Sequence, residues 1–267
     1  MVGPRNTPLA NAGAAARGEK LLAVASGKGG VGKTWFSITL AQALSQRGQR
    51  TLLFDADLGL ANVDIQLGLM PERDLAGVIA GRLRLAQATV RLQSGPFDVI
   101  AGRSGAGNLA SLPSHRVQSL GDELVALSDA YDRTIMDMGA GLDRTVRSLA
   151  SRATTLFIVT TPEPTALTDA YAFIKVAAQN QPDADIRVVV NQVDSKAEGR
   201  RTYETLRKAA ESFLKFTPAL AGVIRRDRKV VDAIRAQIPL MTRHPKSISA
   251  PTRSSFRRNR TATTGCG

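Results

Sequence analysis

The sequence predicts an α/β protein with a doubly wound, mostly parallel sheet and helices on both of its faces. Two observations carry this expectation. Strand-like and helix-like stretches alternate from residue 21 to about residue 240, the rhythm of repeated βα units. The first unit also encloses a glycine-rich octapeptide at residues 27–34, Gly-Lys-Gly-Gly-Val-Gly-Lys-Thr, set between an apolar run and a helical one.

The elements follow in order. Leu21-Leu22-Ala23-Val24-Ala25 is a short continuous apolar run, as a strand covered on both faces should be. Residues 33–47 read as a helix whose N-terminus faces the glycine-rich loop. Further strands are expected at 51–55, 97–101, 133–137, 155–160, 186–191 and 219–223. Further helices are expected near 115–130, 141–151, 165–179, 198–213 and 227–236. The stretch Ile186-Arg187-Val188-Val189-Val190-Asn191 is β-branched, which suits a central strand. No internal repeat is visible. The expected organisation is a flexible leader at 1–19, one α/β domain at 20–245 and a basic tail at 246–267 with few apolar residues to order it.

Composition narrows the classes. A chain of 267 residues with 43% hydrophobic content can bury one substantial core. Its one cysteine, Cys266, excludes an intramolecular disulfide and a cysteine-based metal site, and suits a reducing cytosol. No apolar stretch approaches the roughly 20 residues that span a bilayer, and Met1 to Gly18 lacks the apolar core of a signal peptide. The expected location is the cytoplasm. Net charge is +13, and its distribution says more than its size. Up to residue 199, Lys+Arg and Asp+Glu number 20 and 19; from residue 200 onward they number 16 and 4. Such a basic quarter is either a solvated face or a site for a polyanion, with DNA, an anionic membrane surface and an acidic protein all suitable.

The octapeptide fits the phosphate-loop pattern, which makes the fold class a P-loop NTPase. Around Val31, Gly27, Gly29, Gly30 and Gly32 carry no Cβ, so successive backbone N–H groups can turn toward a phosphate chain. Lys33 can reach the β- and γ-phosphates, and Thr34 offers a hydroxyl to Mg²⁺. Trp35 follows directly and reads as helix packing close to the nucleotide. Asn191 lacks the Asn-Lys-x-Asp setting of guanine selection, so the expected nucleotide is ATP. An ordinary phosphate loop needs no lysine at Lys28, which by itself reads equally as a solvated loop residue.

Two further segments bear carboxylates at strand ends. The second strand runs into Asp55-Ala56-Asp57-Leu58-Gly59-Leu60-Ala61-Asn62-Val63-Asp64. Acids at i and i+2 there face the crevice where parallel sheets bind ligands, one suited to a Mg²⁺-bound water and the other to the attacking water. Taken alone, capping of the following turn explains them equally well. The fourth strand runs into Ile135-Met136-Asp137-Met138-Gly139-Ala140-Gly141. An apolar strand ending in Asp is the Walker B arrangement, and Gly-Ala-Gly gives a backbone free to switch when a γ-phosphate arrives.

These motifs, with Lys28, resemble the MinD/ParA family of deviant Walker A ATPases over about residues 20–245. The Asp55–Asp64 segment, Met138-Gly139-Ala140-Gly141 and Thr160-Thr161-Pro162-Glu163-Pro164-Thr165-Ala166-Leu167-Thr168-Asp169-Ala170-Tyr171 look like the flagellar-number regulator branch, FlhG or FleN. The resemblance implies an ATP-dependent homodimer and slow hydrolysis with Mg²⁺. It implies that Lys28 crosses the dimer interface to the partner's phosphates, that Lys33 and Thr34 serve phosphate and metal, and that Asp57 positions the hydrolytic water. Asp55 and Asp137 would hold the metal's waters, and Asn191 would contact adenine. Ile224-Arg225-Arg226-Asp227 would close over the base, giving Arg225 and Asp227 nucleotide contacts.

The same resemblance implies flagellar assembly proteins as partners and a place in the cytoplasm or at the inner face of the membrane. The alternatives within the family are a ParA-like DNA-partitioning ATPase and a MinD-like septum-site regulator. Residues 1–20 hold none of the Asp-Gln motif that many flagellar regulators use on a partner GTPase. Ser247 to Gly267 has only Ile248, Phe256 and small residues where membrane-binding members carry an amphipathic helix. His115 and His244 stand without acidic or cysteine neighbours in sequence and read as surface or packing residues, and Glu163 and Asp169 as caps.

Overall fold

The computed structural model describes residues 16–57, 59–102, 112–247 and 249. The leader up to residue 15, Leu58 and the tail from residue 250 onward, with Phe256 and Cys266, lie outside the described residues, as does Ile248.

Eight strands form one sheet: β1 (Gly18–Ser26), β2 (Thr51–Ala56), β3 (Val90–Arg91), β4 (Asp98–Ile100), β5 (Arg133–Ala140), β6 (Ala153–Thr160), β7 (Asp185–Val193) and β8 (Ala219–Arg225). Their order is β3-β4-β2-β5-β1-β6-β7-β8, parallel except for the β3–β4 pair. The chain leaves β1 toward β2 on one side and later resumes at β6 on the other, so the order reverses around β1. In such sheets ligands settle outside the C-terminal strand ends at that reversal.

Helices α1 (Lys33–Ser45), α2 (Val63–Leu67), α3 (Leu75–Ile79), α4 (Ser114–Ser128), α5 (Arg144–Ala150), α6 (Pro164–Asn180), α7 (Lys196–Leu214), α8 (Arg228–Arg235) and α9 (Leu240–Arg243) cover both faces. Side chains alternate between faces along each strand, so the sheet separates two cores. Ala23, Phe54, Met136 and Val188 pack with Leu124 of α4, Leu149 of α5, Phe173 of α6 and Leu206 of α7. Val24, Leu53, Ile135 and Val189 pack on the other face with Leu40 of α1, Leu67 of α2, Ala233 of α8 and Leu240 of α9. The central strands are thus apolar on both sides, which is why they read as unbroken hydrophobic runs.

Every strand and helix expected from the sequence is present, shifted at its ends. Caps explain several shifts. The α5 helix starts at 144 because the Asp143 carboxylate accepts from the Val146 amide at 2.9 Å. Ser195 caps α7 through the Glu198 amide at 3.1 Å, and Asp227 caps α8 through the Lys229 amide at 2.9 Å. Between residues 59 and 96 the structure adds α2, α3, a 3₁₀ turn at Leu85–Ala88 and the short antiparallel β3. Two residues assigned by sequence to the tail, Ser247 and Ser249, are buried. His244 also differs from its sequence reading: α8 brings Asp232 to 2.6 Å from its Nε2. Among the described residues no helix is long and apolar enough to cross a membrane.

Candidate nucleotide site

The loop between β1 and α1 sits at the C-terminal end of the sheet's central strand, with Gly30 and Gly32 at φ 78° and 88°. Gly32 marks one close approach: a Cβ there would lie 2.4 Å from Asn191 Nδ2. That amide instead donates to the Val31 carbonyl at 2.8 Å, and Gln192 Nε2 donates to the Gly30 carbonyl at 3.2 Å. The end of β7 therefore braces the loop from one side. Gly27 marks a second close approach, since a Cβ there would meet the Asp169 carbonyl oxygen of α6 at 2.3 Å. Asp169, read as a cap, supplies this backbone contact from within the helix.

Lys33 and Thr34 are buried at the start of α1, and Asp137 lies behind them on β5. Asp137 accepts from Ser37 Oγ at 2.8 Å. Burial raises its pKa, opposed by the Lys33 charge and by hydrogen bonds from Thr34 and Ser37. Asp55 stands beside Asp137 in the β2–β5 register and is fully buried. Burial, and then the Asp137 charge, push it up to about 8, against the amides of Val63 and Asp57 that favour its charged form. The same carboxylate accepts from the amides of Asp57 at 3.1 Å, Asn62 at 3.2 Å and Val63 at 3.2 Å. Asp55 thus orders the loop into α2. Asp57 continues that order, its Oδ1 accepting from Gly59 at 3.3 Å and Leu60 at 2.9 Å.

Two buried carboxylates in register beside a buried hydroxyl and ammonium suit a hard cation that keeps several waters, as Mg²⁺ does. Among the described residues no group of three or more His, Cys, Asp or Glu could hold a metal alone. A cation here would need phosphate oxygens to complete its shell, which fits the open loop in front of it.

That loop opens on a cleft of about 600 Å³. Of the sequence-predicted residues it brings together Gly29, Gly30, Gly32, Lys33, Thr34, Trp35, Asp57, Asn191, Arg225 and Asp227. Gly27, Val31, Asp55 and Asp137 stand behind this lining, supporting it. Sequence reasoning missed Gln66, Gln192, Val230, Val231, Ile234 and Ser249 in the cleft wall. It also missed Ser37 behind Asp137. A hydroxyl one helical turn after Lys33 carries a faint signal, because α1 presents i and i+4 on one side.

Lys28 points elsewhere. Its ammonium meets Glu163 Oε2 at 2.7 Å and Thr165 Oγ1 at 2.9 Å, at the N-terminus of α6. Glu163 occupies the N-cap position but makes no side-chain cap bond, so the capping role read from sequence is replaced by this ion pair. The Lys28 hydrogen bond and charge lower the Glu163 pKa.

Fold and loop together define a nucleotide-binding α/β protein of phosphate-loop type. The chain belongs to the family described as the CobQ/CobB/MinD/ParA nucleotide binding domain, which it matches over residues 22–240. It is 38% identical to the antiactivator FleN of Pseudomonas aeruginosa over 228 residues, 85% of this chain and 81% of that protein. It is 36% identical to the flagellum site-determining protein YlxH of Helicobacter pylori over 194 residues, 72% of this chain and 65% of that protein. Its fold is similar to that of the cell division ATPase MinD of Pyrococcus furiosus, with a TM-score of 0.71, 25% identity and coverage of 86% and 93% of the two chains.

Proposed function

We propose that the chain is an ATP-dependent dimerising switch, a slow ATPase that regulates the position and number of flagella. The observation that carries the switch is Lys28: a lysine of the phosphate loop that turns away from its own cleft onto Glu163 and Thr165. An ammonium so placed is free for a second copy's phosphates once it leaves that resting contact. The similarity to FleN and YlxH supports the flagellar role.

The geometry of the cleft supports the following roles. Backbone N–H groups at Gly29–Gly32 and the Lys33 ammonium bind the triphosphate. Mg²⁺ would be held by Thr34, with Asp55 and Asp137 behind it, and when bound would neutralise charge on the phosphate oxygens. Asp57 orients the attacking water and accepts its proton, with its Oδ1 held by the Gly59 and Leu60 amides. Asn191, Arg225 and Asp227 frame the base. Hydrolysis removes the γ-phosphate that Lys28 reaches across the interface, and the dimer parts. Partners are then a second copy of the chain, flagellar assembly proteins, and an anionic membrane surface or DNA met through the basic C-terminal quarter. The place of action is the cytoplasm and the inner face of the membrane.

Deleting the gene in its host, with flagella counted and chromosome segregation and septum position scored in the same cells, tests this reading. Altered flagellar number supports it. Normal flagella with lost segregation would favour a DNA-partitioning role, and normal flagella with misplaced septa a septum-site role.

A further inference from the structure

We infer that Ser247 and Ser249 are positioning residues of the nucleotide cleft, a C-terminal strap that holds Arg225–Asp227 in the shape that receives the base. The inference rests on the nucleotide reading of the cleft given above.

The sequence offers no reason for serines here to pack, since they follow the last helical signal in a polar, basic stretch. Yet their exposures are only 7% and 6%. Each holds one end of the same short segment. Ser247 Oγ donates to Asp227 Oδ2 at 2.7 Å, and Ser249 Oγ donates to the Arg225 carbonyl at 3.0 Å. The Ser249 amide donates back to Ser247 Oγ at 3.2 Å, so the two contacts form one unit. Ser249 also lines the cleft itself.

The strap has a fixed root. Asp232 of α8 accepts from Arg243 Nε at 2.8 Å and lies 2.6 Å from His244 Nε2. The Ser247 amide then donates to the His244 carbonyl at 3.0 Å, which sets the direction of the chain toward the cleft. The Arg225–Asp227 segment has other anchors, the Val230 amide donating to the Asp227 carbonyl at 3.1 Å among them. The Arg226 amide donates to the Val193 carbonyl at 2.8 Å, and Asp227 Oδ1 accepts from the Lys229 amide at 2.9 Å. None of these reaches Oδ2 of Asp227 or the Arg225 carbonyl. Burial pushes the Asp227 carboxyl up, but the Ser247 hydroxyl, the Lys229 amide and the Lys229 and His244 charges together hold it below the ordinary range. Asp227 therefore stays anionic and accepts from α8 and the strap at once.

A small hydroxyl suits this task, because it fixes its neighbour without filling the space a base needs. The support is also one-sided. The phosphate end of the cleft is braced by Asn191 and α6, neither of which touches the strap through the bonds described. Loss of the strap should therefore weaken recognition of the base and leave recognition of phosphate alone.

Calorimetry on the full chain, on Ser247→Ala and Ser247→Thr, and on chains ending at Lys246 or Ala250 tests this, with Mg-ADP and inorganic tripolyphosphate as ligands. Ser247→Ala should bind ADP roughly tenfold more weakly, the order of effect of one charge-assisted hydrogen bond, and tripolyphosphate unchanged. Ser247→Thr should restore ADP affinity. The chain ending at Lys246 should lose at least as much as Ser247→Ala, and the chain ending at Ala250 should match the parent. Parental ADP affinity in Ser247→Ala and in the chain ending at Lys246 overturns the inference. So does a parallel loss of ADP and tripolyphosphate, which means a structural role only. Failure of the full chain to bind ADP would instead overturn the nucleotide reading itself.

Discussion

Replacing Gly27 by alanine puts one methyl group against the backbone of α6. The added Cβ would lie 2.3 Å from the Asp169 carbonyl oxygen, 2.4 Å from its carbonyl carbon and 2.5 Å from its Cβ. The first two of these belong to the main chain of a 17-residue helix and cannot rotate aside. Overpacking of this kind costs typically about 1–3 kcal/mol, and contact with helical backbone argues for the upper end. At this chain length each kcal/mol lowers the melting temperature by roughly 2–4 °C, so Gly27→Ala should melt roughly 6–12 °C below the parent. Gly29→Ala is the matched control, because a Cβ there meets nothing within 4 Å. Its change should stay within about 0.5 kcal/mol, or roughly 2 °C. Thermal unfolding followed by circular dichroism without nucleotide reads both. Melting of Gly27→Ala within about 2 °C of Gly29→Ala would refute the close approach of loop and α6. The contact matters beyond stability, because the same helix presents Glu163 and Thr165 to Lys28.

Lys33→Ala should abolish ATP binding by calorimetry, since it removes the ammonium proposed to face the β- and γ-phosphates; unchanged affinity would sink the phosphate-loop assignment. Asp57→Ala should keep ATP bound while slowing its cleavage roughly 10²–10⁴-fold in single-turnover phosphate release. Cleavage at the parental rate would leave Asp57 only its turn-capping bonds to Gly59 and Leu60. Ser37→Ala removes a hydrogen bond from a fully buried carboxylate, and should lower stability by about 1–3 kcal/mol in urea unfolding at unchanged m-value. No change in midpoint would mean that Asp137 does not depend on that hydroxyl.

What was legible in the sequence follows the range of the interactions involved. The phosphate loop, Asp55 and Asp137 could be read because strand, loop and helix lie next to one another in the chain and strand ends point to one crevice. The central strands were equally legible, since Leu52, Phe54, Ile135 and Val188 are buried in unbroken apolar runs. Helices α2 and α3 were not, because five residues are too few to display a helical period, and α2 depends on Asp55 reaching the Asn62 and Val63 amides. Glu163 was misread as a cap because its partner, Lys28, lies 135 residues away. His244 was read as isolated because α8 folds Asp232 back onto it. Ser247 and Ser249 were assigned to the tail because hydroxyls carry no hydrophobic signal, and only the folded chain brings Asp227 and Arg225 to them.

The proposed switch requires Lys28 to leave Glu163 for the phosphates of a second copy. Light scattering with ATP on Asp57→Ala, where the nucleotide persists, compared with the Lys28→Ala, Asp57→Ala double variant, tests it most directly. Asp57→Ala should reach the mass of a dimer with ATP and remain a monomer with ADP. The double variant should bind ADP as the parent does and stay monomeric with either nucleotide. A double variant that dimerises with ATP as fully as Asp57→Ala would show that Lys28 is a solvated loop residue resting on α6, and would contradict the switch.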